Sequence, residues 1–362
     1  MSRIPVALVT GFLGSGKTTL INAALRAPEL SKNVVVVNEF GEVGLDHQLY
    51  ASSNDAVIVL ENGCLCCTVK SDLVSTLNSL YHSRAAGDIP TFDNVVIETS
   101  GLAEPAPVMQ AFLSEPTLDG LYRVASVVTV VDAVNWAETS ANHDEAVRQV
   151  ALAEHILISK LDLADAGAEA RIRADLARIN PVAKIEKVDL STAAVARLLT
   201  TPGFDAANPA ANPLPWLSLE AYQAQAEHVH DEHCGHDHLH DKGVESFVLV
   251  RDQPLSREEL QFLLDGITQN LGPSLLRVKG LVNVAEEPGR PAVIQGAQHL
   301  LHTMSWLAKW PDADERTRVV FITQGIVQSK LKEMIELLDR MSARTFKARE
   351  RGRLARENSN TQ

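Results

Sequence analysis

The sequence predicts an α/β protein: a doubly wound domain with a mainly parallel sheet, followed by a smaller C-terminal α+β domain. Three observations carry this. Short, nearly uninterrupted apolar runs alternate with helical patterns over the first 200 residues. A glycine-rich loop, Gly11 to Thr18, joins the first of these runs to the first helical pattern. From Val244 the order changes to a strand, a helix and then several strands.

The first-domain strands are expected at 4–9, 33–38, 56–60, 93–98, 125–131 and 154–159. They are continuous apolar runs, as strands buried on both faces of a parallel sheet must be. Helical patterns lie between them, among them 16–26, 68–81, 144–152 and 165–179, and such β/α alternation is the signature of a doubly wound sheet. The domain is expected to span 1–200. Residues 201–243 carry Pro202, Pro209, Pro213 and Pro215 and then a histidine run, and read as an exposed Pro/His-rich linker. The second domain, 244–343, is expected to hold strands at 244–250, 275–284, 291–296 and 316–322, with helices at 256–270 and 327–343. Residues 344–362 read as a basic, disordered tail.

With 33 basic and 46 acidic residues the formal net charge is −13, which argues against a nucleic-acid binder, since such a protein carries a basic footprint. The basic stretch from Arg340 to Arg356 reads as a solvated helix end. No run approaches the roughly 20 apolar residues of a membrane helix. The first strand begins at Ile4, which leaves no room for a targeting peptide and makes the cytoplasm the expected compartment. There, Cys64, Cys66 and Cys67 are expected to stay reduced and to serve a metal or redox site.

Gly11-Phe12-Leu13-Gly14-Ser15-Gly16-Lys17-Thr18 fits the phosphate-binding pattern G-x-x-x-x-G-K-[ST], with Thr19 opening the helix. Gly11, Gly14 and Gly16 let the backbone of the loop, Ser15 included, turn its N–H groups toward a β-phosphate. Lys17 adds a point charge across the β/γ oxygens, and the Thr18 hydroxyl suits Mg²⁺. Glu98, ending an apolar strand, is expected to supply the second carboxylate of the site, and Gly101 follows at the spacing of a γ-phosphate sensor. Glutamate stands where aspartate is more usual. Ser159-Lys160-Leu161-Asp162 parallels the guanine-reading sequence N-K-x-D, in which the aspartate accepts from guanine N1–H and the exocyclic amine. Ser159 replaces the asparagine and removes an amide that would brace the loop.

Cys64, Cys66 and Cys67 lie just before a helical pattern, where the helix dipole favours thiolate, the form that binds Zn²⁺ or Cu(I). Three sulfurs leave one tetrahedral position open. Glu39 and Glu42, leaving the end of strand 33–38, are the candidate completing ligands, because ligands gather outside the carboxyl ends of strands in open sheets. This requires strand 33–38 and strand 56–60 to be parallel, across a connection barely long enough for a crossover. The alternative for Cys64 and Cys67 is a redox pair. Six of the twelve histidines fall between 228 and 240, a composition that chelates Zn²⁺, Ni²⁺ or Co²⁺ or serves only as a polar linker. His299 and His302 read as packing residues.

Together these residues resemble the CobW-like P-loop GTPases, a family of metallochaperones and metalloenzyme activators. The resemblance lies in Gly11 to Thr19, Asn38 to Gly44, Gly63-Cys64-Leu65-Cys66-Cys67 and Glu98 to Ala103. It extends to Val131-Asp132-Ala133, Ser159 to Asp162, the His-rich linker and Arg277-Val278-Lys279-Gly280. It implies slow hydrolysis of Mg²⁺-bound GTP coupled to delivery of a metal held by Cys64, Cys66 and Cys67 beside Glu39 and Glu42. It also implies a client metalloprotein as partner, while charge and the lack of a long apolar run lead to the expectation of neither nucleic acid nor membrane. Zinc is favoured, with cobalt or nickel as other cargoes of the family. Other readings are a metal buffer with a structural nucleotide site, an interaction module timed by GTP, or an insertion factor for corrinoid synthesis or nitrile hydratase.

Overall fold

In a computed structural model, the described residues are 3–38, 57–60, 67–200, 203–204, 208, 212–218, 243–298, 300–301 and 304–342. The chain divides into two compact units, Met1–Asp205 with Glu227–Lys242, and Ala206–Ala226 with Gly243–Gln362.

The first unit is built on seven strands: β1 (Ile4–Thr10), β2 (Asn33–Asn38), β3 (Val57–Leu60), β4 (Asn94–Thr99), β5 (Tyr122–Asp132), β6 (His155–Ser159) and β7 (Lys184–Lys187). They lie in the order β3-β2-β4-β1-β5-β6-β7, and every neighbouring pair is parallel. The pairing of β2 with β3 in the register Val35↔Val57 to Asn38↔Leu60 rules out a hairpin and meets the condition set by the short connection. Helices α1 (Lys17–Leu25), α2 (Cys67–Ala86), α3 (Pro105–Ser114), α4 (Pro116–Leu121), α5 (Trp136–Asn142), α6 (Asp144–Leu152), α7 (Ala168–Ile179) and α8 (Thr192–Thr200) follow in chain order.

The apolar runs are continuous because both faces of the sheet are covered. From β1, Ile4, Val6 and Leu8 join Leu73 and Leu77 of α2 and Phe112 of α3 in one core. Ala7 and Val9 of the same strand join Leu20 and Ile21 of α1 and Val195 of α8 in the other. Strand β5 begins at Tyr122, earlier than expected. A register shift between Val6 and Ala7 lets it bulge and keep pairing with β1 on both sides of the bulge. Helix α7 starts at Ala168, later than expected, because Gly167 takes a left-handed φ of 91° that no helix interior accepts.

The second unit holds α9 (Leu214–Leu217), β8 (Val244–Arg251), α10 (Arg257–Leu271), β9 (Leu275–Val282), β10 (Ala292–Ala297), β11 (Leu300–Leu301), β12 (Ser305–Trp306), β13 (Thr317–Gln324) and a helix over 328–342. Its sheet is antiparallel, in the order β11-β10-β9-β13-β8 with β12 beside β10. Strand β9 stops at Val282, short of 284, and Val284 makes only an isolated bridge to Leu255. Leu260, Leu264 and Ile267 of α10 and Leu331, Ile335 and Leu338 of the last helix close the core over Phe247, Val278, Val319 and Phe321. Helix α10 starts with a capping box. The Ser256 hydroxyl accepts from the Glu259 N–H at 3.2 Å and the Glu259 carboxylate accepts from the Ser256 N–H at 2.8 Å. Among the described residues no helix is long and apolar enough to cross a membrane.

Candidate functional site

The phosphate-binding loop turns out of β1 into α1 and needs its glycines for distinct reasons. Gly11 has φ 142°, and a Cβ there would lie 2.3 Å from the Val130 carbonyl oxygen. Gly14 and Gly16 take φ of 69° and 103°, the left-handed turns that aim successive N–H groups into the loop. Lys17 is buried, with its ammonium donating to the Gly11 and Phe12 carbonyls at 2.8 and 3.1 Å, so the charge is held within the arch of the loop. The Thr18 hydroxyl donates to Glu98 Oε1 at 3.3 Å, and Glu98 is buried at the end of β4. A hydroxyl and a carboxylate thus meet beside the loop, a set of hard oxygen donors suited to Mg²⁺.

Gly101 approaches the same loop from the β4 side. A Cβ on it would stand 2.6 Å from the Leu13 nitrogen and 2.8 Å from the Leu13 Cα. The two segments are therefore in backbone contact. Their spacing is held from behind by Gln149 of α6, wholly buried, whose Nε2 donates to the Gly101 and Ala103 carbonyls at 3.1 and 3.0 Å. The neighbouring Arg148 pairs with Glu104. At the other end of α6, the His143 ring packs at a 35° tilt against Phe12 of the loop with centroids 4.5 Å apart. Sequence reasoning passed over Gln149. The available signal was an amide in the helical stripe Ala146, Val147, Val150, all buried.

Ser159, Lys160 and Asp162 follow β6 onto the same edge. The Ser159 hydroxyl lies 2.7 Å from the Ser15 carbonyl and 3.2 Å from that of Val131. The expected loss of a brace is therefore corrected: the serine itself ties this loop to the phosphate loop. Lys160 adopts φ 56°, unusual for a residue with a side chain, and its ammonium bonds Asp132 Oδ2 at 2.7 Å. Asp132 ends β5 and also accepts from the Val134 N–H at 2.8 Å and the Asn135 amide at 2.8 Å. Burial pushes its carboxyl upward, but the bonds from Lys160, Asn135 and Val134 outweigh this and hold it below the ordinary carboxylate range. Asp162 is exposed at the mouth of this loop.

Of the expected metal ligands, Cys67 is the first residue of α2, while Glu39, Glu42, Cys64 and Cys66 lie outside the described residues, as do His299, His302, the 228–240 run and the tail 344–362. Among the described residues no group of three or more His, Cys, Asp or Glu is close enough to hold an ion. The strand order nevertheless places the carboxyl ends of β3, β2, β4 and β1 consecutively along one edge.

The family model for the CobW/HypB/UreG nucleotide-binding domain matches residues 5–187, and that for the cobalamin synthesis protein cobW C-terminal domain matches residues 244–338. The zinc chaperone YjiA of Escherichia coli is 33% identical over 332 residues, 92% of this chain and 98% of the relative. The zinc chaperone CobW of Pseudomonas aeruginosa is 32% identical over 377 residues, covering 92% and 91%. The crystal structure of Zn(II)-bound YjiA GTPase from E. coli superposes with a TM-score of 0.62 at 25% identity, over 93% of this chain and 99% of that one. A parallel-sheet unit with a phosphate loop, an antiparallel unit after it, and both family matches in that order lead to one assignment: the chain belongs to the CobW/HypB/UreG family.

Proposed function

We propose that this chain is a GTP-hydrolysing metallochaperone that carries zinc and passes it to a client metalloprotein in the cytoplasm. The observation that supports it most is the strand order β3-β2-β4-β1. The strands that precede the cysteines, Glu39 and Glu42, and the phosphate loop, and the strand that carries Glu98, are neighbours in the sheet and end on one edge. Relatives bearing the name zinc chaperone over nine-tenths of the chain support the choice of cargo.

In this reading the N–H groups of the loop from Gly11 through Gly14, Ser15 and Gly16 to Thr19 cradle the β-phosphate, and Lys17 neutralises charge on the β/γ oxygens. Thr18 and Glu98 would hold Mg²⁺, which supplies further neutralisation of phosphate charge when bound. Gly101, already against Leu13, brings an N–H to the γ-phosphate. Asp162 reads the guanine edge while the Lys160 stem lies along the base, in the position Asp132 fixes for it. Zinc, as cargo, is taken by the thiolates of Cys64, Cys66 and Cys67 with Glu39 or Glu42 completing the set.

In this reading GTP binding repositions the 39–46 loop, and with it the carboxylates available to complete the Cys64, Cys66 and Cys67 site. Competition titrations of zinc against a chelator, with a non-hydrolysable GTP analogue or GDP bound, test this. The expected ratio of affinities is about 5–150-fold. Equal affinities in the two nucleotide states would refute the coupling.

A further inference from the structure

Between the phosphate loop and α5/α6 the first unit holds a partly open void that offers about 20 Å³ to the centre of a water molecule. Phe12 and Ser15 line it from the loop, Val130 and Asp132 from β5, Trp136 from α5 and Gln149 from α6. Three of these side chains are almost wholly buried, at 1% exposure for Ser15, 3% for Trp136 and 0% for Gln149. Each has a polar atom without a hydrogen-bond partner among the described residues: Ser15 Oγ, Trp136 Nε1 and Gln149 Oε1. One such atom is an ordinary imperfection; three on side chains that line one void single it out.

The chemistry of these atoms selects the occupant. The orientation of the Gln149 amide is fixed, because its nitrogen must face the two carbonyls of Gly101 and Ala103, which turns its oxygen away from them on a side chain that lines the void. An amide oxygen only accepts and an indole N–H only donates, while a hydroxyl does either. A cation is disfavoured by the indole N–H and an anion by the amide oxygen. What satisfies all three is a small neutral molecule that both donates and accepts. A water needs roughly 10–15 Å³ by this measure and two to four polar partners, and the void supplies both.

We propose that this void is a hydration site, in which one ordered water accepts from Trp136 Nε1–H, donates to Gln149 Oε1 and bonds the Ser15 hydroxyl. Gln149 thereby becomes a positioning residue. Through its nitrogen it holds Gly101 and Ala103, and through the water it holds Ser15 of the phosphate loop. This second role depends on the nucleotide reading given above, whereas the water site does not.

The two are tested separately. With indole-¹⁵N-labelled full chain and no nucleotide added, the Trp136 indole proton is expected to show a cross-peak to a long-lived water. Its resonance is assigned by its loss in Trp136→Phe or, should that variant fold poorly, by elimination with Phe variants of Trp216, Trp306 and Trp310. An indole proton with no contact to water would overturn the site. For the positioning role, Gln149→Leu is expected to lower kcat for GTP hydrolysis about tenfold with KM within about twofold. Trp136→Phe, which leaves the bonds to Gly101 and Ala103 in place, is expected to lower it less. A change confined to KM, or none, would overturn that role. A wild-type chain without any GTP turnover would remove it along with the nucleotide reading, while the hydration site stands or falls on the indole spectrum alone.

Discussion

At the scale of single residues, the site depends on backbone approaches that only glycine permits. At Gly101 a methyl group would meet the Leu13 backbone, which cannot move without moving the phosphate loop. Gly101→Ala is therefore expected to weaken GTP binding by at least about tenfold, or ~1.4 kcal/mol, read by calorimetric titration. Unchanged affinity would mean that the two segments do not need this contact. Asp132 makes a prediction of a different kind. Its folded-state pKa lies below the unfolded value. The stability it contributes is thus complete above the ordinary carboxylate pKa of ~3.9, and is lost as pH falls through the lower folded value. Removing one partner of its charged hydrogen bonds by Asp132→Asn is expected to cost ~1–3 kcal/mol at neutral pH. The gap between the melting temperatures of wild type and variant should narrow as the pH drops below about 4. A gap that stays constant with pH would show that the carboxylate charge is not what holds Lys160.

At the scale of elements, the antiparallel unit offers a local test, since α10 opens on a reciprocal cap that nothing else duplicates among the described bonds to those two N–H groups. Ser256→Ala is expected to cost ~1 kcal/mol and to lower the melting temperature of that unit by several degrees. The transition of the parallel-sheet unit should not move, as scanning calorimetry would reveal. What was legible in advance follows from the range of the physics involved. β1, β2, β4 and β6 announced themselves because both faces of the sheet are covered, so each had to be apolar throughout. β7 (Lys-Ile-Glu-Lys) stayed hidden: an edge strand with exposed ends is charged, and so resembles a loop. The phosphate loop was legible because its chemistry is packed into eight consecutive positions. The Gln149 clamp was not, because its two bonds reach back 48 and 46 residues to Gly101 and Ala103. The Lys160–Asp132 pair likewise spans 28 residues, and the fold alone brings the partners together.

At the scale of the whole molecule, the proposed function makes two ligands share one protein, and thermodynamics then restricts how they behave. β3 and β1 are separated by β2 and β4, three strand spacings or about 14 Å at roughly 4.8 Å each. Direct attraction between zinc and phosphate charge across that span exceeds the Debye length of about 8 Å at physiological salt and is strongly screened along any exposed path. Coupling of useful size has to be carried by the chain itself, from the segment after β4 to that after β2 beside it. Two results follow. Whatever factor GTP applies to zinc affinity, zinc must apply to GTP affinity, because both belong to one coupling free energy. That factor should also vary less than about twofold between roughly 50 and 500 mM salt, where a through-space effect would collapse. Both are read from one set of titrations, zinc into the analogue-bound and GDP-bound protein, and nucleotide into the zinc-loaded and zinc-free protein, at two salt concentrations. Unequal factors would mean that a third process, such as self-association, is being measured. Equal factors that vanish at high salt would leave a carrier whose two sites sense each other only as charges, with no moving segment between them.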